Sequence, residues 1–146
     1  MHVLLAADAS WVVDDVVSAL SDQETSFTVC RNGRDVSGVV KERTPDIAIL
    51  DLQIGSMGGM ATAMALRNDE SAGALPFVPI LMLLDRDADI HLARRSGADA
   101  WIVKPLDPLK VRRAVHAAMH PPIGAGDDVE IELAEETAEE VPANVG

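Results

Sequence analysis

The chain has 146 residues, 48% of them apolar and 25% charged, with a formal charge of -12. That length suits one compact domain and is short for two, and the composition excludes a fibrous or wholly disordered chain. The acidity argues against direct contact with nucleic acid, whose phosphates need a basic surface.

The longest apolar runs, such as Val78 to Leu84, fall far below the ~20 residues a spanning helix needs, so neither a signal peptide nor membrane insertion is expected. Cys30 is the only cysteine. No internal disulfide is possible, core filler is its plain reading, and a reducing cytoplasm is the natural compartment. The charge is unevenly placed. Residues 121–146 hold eight acids and no Lys or Arg, which leaves 16 acids against 12 bases in residues 1–120.

Taken in chain order, apolar runs alternate with helical stripes five times. A strand is predicted over Val3 to Ala7, followed by a helix with apolar positions Val12, Val13, Val16, Val17 and Leu20. Phe27 to Cys30 is the second strand, and Val36, Val39 and Val40 mark the helix after it. Ile47 to Leu50 is the third, leading to a helix striped by Met60, Met64 and Ala65. Val78 to Leu84 precedes a weaker stripe at Ile90 and Leu92. Ala100 to Val103 precedes a helix carrying Leu109, Val111, Val115 and Met119.

Strict alternation with runs apolar throughout indicates an α/β fold, a doubly wound five-stranded parallel sheet with five helices. Pro121 and Pro122 cannot extend the last helix, which sets a domain over residues 1–120 and an acidic C-terminal tail over 121–146. The tail's composition predicts disorder in isolation; on binding it either folds back on the domain as an internal competitor or extends onto a partner as a second contact, the alternative favoured here.

In a doubly wound sheet, functional groups collect where strands end at their carboxyl edge. Asp8, Asp51, Asp85 and Lys104 each follow an apolar run. Three carboxylates and one ammonium are therefore expected in one crevice. Carboxylate oxygens suit a hard cation such as Mg2+, lysine can hold an anion beside it, and a carboxylate there can attack a phosphoryl group. Asp14 and Asp15 lie inside the first helix and read as a solvated face, and the four histidines show no metal-ligand spacing.

Two segments carry a resemblance. Ile47 to Gly59, IAILDLQIGSMGG, ends a strand in an aspartate and continues through a loop rich in Met and Gly. Gly97 to Pro105, GADAWIVKP, places an aromatic residue before a Lys-Pro pair, with Lys104 lying 53 positions after Asp51. Together they resemble the receiver domains of response regulators, from about Val3 to Met119. The resemblance implies a flavodoxin-like sheet of order 2-1-3-4-5. It makes Asp51 the phosphoacceptor, Asp8 a direct Mg2+ ligand, Gln53 a ligand through its backbone carbonyl, and Lys104 the group that binds phosphoryl oxygens. It also implies a cis peptide before Pro105, puts Trp101 in the place of the switch aromatic, and makes a histidine kinase a possible phosphate source.

The chain departs from the family at several positions. Ala7 stands where the family has a second acid, and Gly55 where a proline is common in the loop after strand three. In Pro79 to Asp85, PILMLLD, Leu84 replaces the Thr or Ser whose hydroxyl binds the phosphoryl group. One charge-assisted hydrogen bond is worth ~1.5–3 kcal/mol, so its loss removes about one to two decades of phosphate-driven bias between states. Asp85 replaces a small neutral residue; it either repels a phosphodonor or supplies the acid missing at Ala7.

Two functions stay in competition. One is a standalone phosphoreceiver served by a histidine kinase; the other is a receiver fold kept as a protein-binding module, an adaptor or accessory subunit of a larger assembly. No Gly-rich phosphate loop or nucleophile elbow supports an enzyme acting on a diffusible substrate. Receivers generally dock through helix four, strand five and helix five, and Arg94, Arg95, Lys110, Arg112 and Arg113 in those segments suggest a basic partner face.

Overall fold

The computed structural model describes residues 1–120; the acidic tail and its expected partner contact lie outside the described residues. Five strands, β1 (His2–Ala6), β2 (Ser26–Cys30), β3 (Ile47–Asp51), β4 (Ile80–Leu84) and β5 (Ala100–Val103), form one parallel sheet in the order β2-β1-β3-β4-β5. Helices α1 (Ser10–Leu20), α2 (Val36–Glu42), α3 (Gly59–Ser71), α4 (Ile90–Arg95) and α5 (Pro108–Met119) connect and follow them.

The period-2 alternation of a strand divides each apolar run between two cores. Val3, Leu5, Ile47, Ile49, Leu81, Leu83 and Ile102 pack against α1 and α5. Leu4, Ala6, Leu50, Met82, Leu84 and Trp101 face the side covered by α2, α3 and α4. Every residue of β1, β3 and β4 is buried, as a sheet covered on both faces requires.

The first three strands shift by one residue at one end or both, β1 closing at Ala6 rather than Ala7, and larger details also depart from the sequence reading. The fourth strand begins at Ile80 because Pro79 has no N–H to donate to the ladder, although its carbonyl accepts from Ala48 N–H at 2.9 Å. The Met60, Met64 and Ala65 stripe is not the buried face of α3, which turns Gly59, Thr62, Ala63 and Leu66 inward and leaves Met64 exposed. The entry to the helix sets that rotation, since a Cβ on Gly59 would lie 2.5 Å from the Asp51 carbonyl oxygen, so the first turn sits directly on β3. Leu109 is likewise exposed at the start of α5, whose inner face is Val111, Ala114, Val115 and Ala118. Cys30 is buried, which pushes its thiol up from the usual range.

Opposite the carboxyl edge of the sheet, His2 is buried with both ring nitrogens occupied, 2.8 Å from Ser26 Oγ and 3.0 Å from Thr28 Oγ1. Burial, aided by the Arg43 charge and partly opposed by Asp46, holds its pKa below the ordinary 6.5. The folded state thus prefers the neutral ring, and the unfolded chain takes up the proton first as pH falls. Stability is expected to be full above pH 6.5 and to decline as pH drops through the lowered value. Urea titrations from pH 7.5 to 5 should show this slope flattened in a His2→Gln variant.

Candidate functional site

Each functional side chain owes its place to where a strand stops. Asp51 closes β3, Asp8 and Asp85 lie just past β1 and β4, and Lys104 follows β5. Because all five strands run parallel, these ends share one edge, where Asp8, Ala9, Trp11, Val12, Asp51, Gln53, Asp85 and Lys104 line an open cleft of about 530 Å³. The Lys104–Pro105 peptide is cis.

Lys104 is the centre of the site. Its Nζ donates to Asp51 Oδ1 at 2.8 Å and to Asp85 Oδ1 at 2.9 Å. Burial pulls the ammonium's pKa down, but the hydrogen bonds and charges of Asp51 and Asp85 outweigh it and hold the pKa above the usual lysine value. On Asp85 the hydrogen bond from Lys104 dominates over partial burial and holds the carboxyl below its usual range. Lys104 is therefore a permanent cation and Asp85 a permanent anion at neutral pH. Asp51 is the deepest of the three carboxylates, only 2% exposed. Its hydrogen bonds from Lys104 Nζ and Gln53 N–H both fall on Oδ1, leaving Oδ2 as the open oxygen.

Asp8 is exposed at the same cleft, beside Gly55. A Cβ on Gly55 would stand 3.0 Å from Asp8 Oδ2, so the glycine gives this carboxylate room. The donors that the receiver resemblance would assign to a hard cation, Asp8, the Asp51 carboxylate and the Gln53 carbonyl, belong to residues lining this cleft. Among the described residues no group of three or more His, Cys, Asp or Glu gathers tightly enough to hold an ion by itself. Magnesium keeps several waters and needs only one or two carboxylates, so this set fits Mg2+ at its lower limit, short of the acid missing at Ala7. When bound there, the ion would neutralise phosphoryl oxygens beside Lys104.

The switch positions are both core. Leu84 is fully buried, and Trp101 is 1% exposed with its indole Nε1–H lacking a partner among the described residues. Both belong to the cluster under α3 and α4. The basic residues of the expected partner face lie on α4 and α5, four of them exposed. Arg94 and Arg95 are exposed on α4, and Arg113 on α5. Lys110 is committed locally, donating to the Val103 and Pro105 carbonyls at 2.9 and 3.2 Å. Arg112 turns the other way, to the Ala19 carbonyl of α1 at 3.4 Å, because its step along α5 puts it over the α1 seam. Asp14 and Asp15 are exposed on α1.

Two features escaped the sequence reading. Trp11, half exposed in the first turn of α1, sets its ring 5.5 Å from Lys104 Nζ; its position three residues past Asp8 was the available signal. Arg67 and Asp99 form an ion pair at 2.6 Å across 32 positions, which no local spacing announces.

Several known proteins are similar to this chain over most of its length. The DNA-binding response regulator MtrA of Mycobacterium leprae is 29% identical over 120 residues, 81% of this chain and 51% of that protein. Protein PilH of Pseudomonas aeruginosa is 20% identical over 118 residues, covering 97% of its own length. The chain spans about half the length of the first of these relatives. In fold it is similar to the chemotaxis response regulator CheY4 of Vibrio cholerae, with a TM-score of 0.70 at 24% identity over 80% of this chain and 97% of that one. Receiver domains generally bind Mg2+ at this acidic pocket. Residues 3–116 match the response regulator receiver domain model, so the chain belongs to that family, whose members work in two-component signalling.

Proposed function

We propose that this receiver acts as a protein-binding module, an adaptor or accessory subunit of a larger assembly, whose binding surface is set little by phosphate on Asp51. The observation that carries the reading is Leu84, a fully buried hydrocarbon where the family's coupling hydroxyl belongs. A hydroxyl there draws the following loop toward a phosphoryl group; leucine offers nothing to draw with, and Trp101 is already packed inside. A ligand that gains no differential contact between two states shifts neither. The protein is read as non-enzymatic and cytoplasmic. Its partner is a protein rather than nucleic acid, since acids outnumber bases even within residues 1–120. Among the described residues no helix is long and apolar enough to cross a membrane.

Phosphorylation of Asp51 is expected to perturb amide NMR shifts only around the cleft, near Asp8, Asp51 and Lys104. Concerted shifts running through α4 to Trp101 would overturn the reading. The partner should also be recovered equally by the full-length protein and by Asp51→Ala. A second reading, a conventional phosphoreceiver charged by a histidine kinase, is favoured by the 2.8 Å contact between Lys104 and Asp51 and by relatives named as response regulators.

A further inference from the structure

The receiver site has one resident that its family pattern does not explain. Asp85 lies at the mouth of the cleft with its side chain 34% exposed, whereas the Asp51 side chain is 3% exposed at the floor. Lys104 Nζ bridges the two, 2.8 Å from one carboxylate and 2.9 Å from the other. An ammonium has three N–H donors, so two are already committed, and the face of Trp11 lies 5.5 Å from the same nitrogen. The oxygen atoms that a phosphoryl group on Asp51 would present to Lys104 are thus replaced by a carboxylate from the next strand.

We propose that Asp85 is a built-in occupant of the phosphoryl seat, an autoinhibitory contact that holds Lys104 and bars small anionic phosphodonors from Asp51. The inference rests on the receiver reading of this site but not on whether phosphate moves the domain. Its basis is competition. A carboxylate tethered two bonds from the backbone competes at a high effective concentration, whereas a diffusing donor must displace it from solution. The donor must also enter a cleft whose three carboxylates, Asp8, Asp51 and Asp85, outnumber its single ammonium. The opposite role is equally concrete: Asp85 as the acid that makes good the loss at Ala7 and helps to hold the metal. The two roles predict opposite signs.

The experiment uses full-length protein, Mg2+ and phosphoramidate. In the reaction an Asp51 oxygen bonds to phosphorus as the P–N bond breaks and ammonia leaves, so labelling is read directly as acyl phosphate by mass. Asp85→Ala is expected to label about ten-fold faster or more than the parent, with Asp85→Asn, which keeps the shape without the charge, falling between them. Beryllofluoride affinity, measured by calorimetry with Mg2+, should tighten in the same order. Thermal unfolding checks that both variants remain folded, and Asn stands in if Ala does not. Labelling that is unchanged or slower in the folded variants would overturn the proposal, slower labelling in favour of the metal-ligand role. Amide shifts that spread to α4 would sink the phosphate-independent function while leaving this result intact, so the two failures are distinguishable.

Discussion

An Arg67→Ala variant is expected to lose about 2–4 kcal/mol of stability, roughly 10–15 °C in melting temperature for a domain of this size. Arg67 leaves α3 and binds four partners. Nε donates to the Gly97 carbonyl at 3.0 Å, Nη1 to the Val78 carbonyl at 3.0 Å and Glu70 at 3.1 Å, and Nη2 to Asp99 at 2.6 Å. Phe77 lies against the guanidinium at 5.0 Å. The side chain therefore ties α3 to the segments entering β4 and β5. Asp99 also accepts the Ile80 N–H at 2.8 Å, so losing its counter-charge strains the start of β4. Burial already pushes the Asp99 carboxyl up from its usual range, with the Ile80 and Arg67 contacts opposing that rise. Removing Arg67 raises it further, so the variant's deficit should be largest at neutral pH and narrow as pH falls into the carboxylate range. Arg67→Lys keeps the charge but not the fork of donors and should recover less than half. Paired denaturant titrations at pH 7 and 5 check both statements; a deficit under 1 kcal/mol would show that the pair is merely superficial.

Restoring the missing hydroxyl is expected to have the largest effect on behaviour. In an Asp85→Ala background, which empties the seat on Lys104, Leu84→Thr should return one charge-assisted hydrogen bond to a phosphoryl group on Asp51. At ~1.5–3 kcal/mol that is about one to two decades in the bias between conformations. Amide shifts on phosphorylation should then extend through α4 and to the Trp101 indole, whereas Asp85→Ala alone keeps them at the cleft. The substitution has its own penalty, since Leu84 is fully buried among apolar neighbours. Trading it for a smaller, polar side chain should lower stability by about 1–3 kcal/mol before phosphate is added. Shifts that stay local in the double variant would mean that the packing of Trp101, rather than the absent hydroxyl, holds the domain in one state.

Much of this was determined by the sequence alone, because it is local. The alternation of apolar runs with helical stripes dictated the order of strands and helices, and continuous burial in β1, β3 and β4 follows from runs with no polar interruption. With all strands parallel, Asp8, Asp51, Asp85 and Lys104 had to share an edge, since each lies at or just past the carboxyl end of a strand. What the sequence did not determine depends on which distant group a side chain meets. Lys104 bridges Asp51 and Asp85 across separations of 53 and 19 positions, and spacing cannot tell a bridge from two rivals. Arg67 and Asp99 find each other only once α3 has packed on the sheet. The inward face of α3 was decided by contact of Gly59 with the β3 backbone rather than by the methionine stripe, and Arg112 was drawn to α1 by its rotation about α5. Periodicity specifies that a helix has a face; only packing against neighbours, where backbone contacts and ion pairs compete with apolar burial, decides which face it is and what it touches.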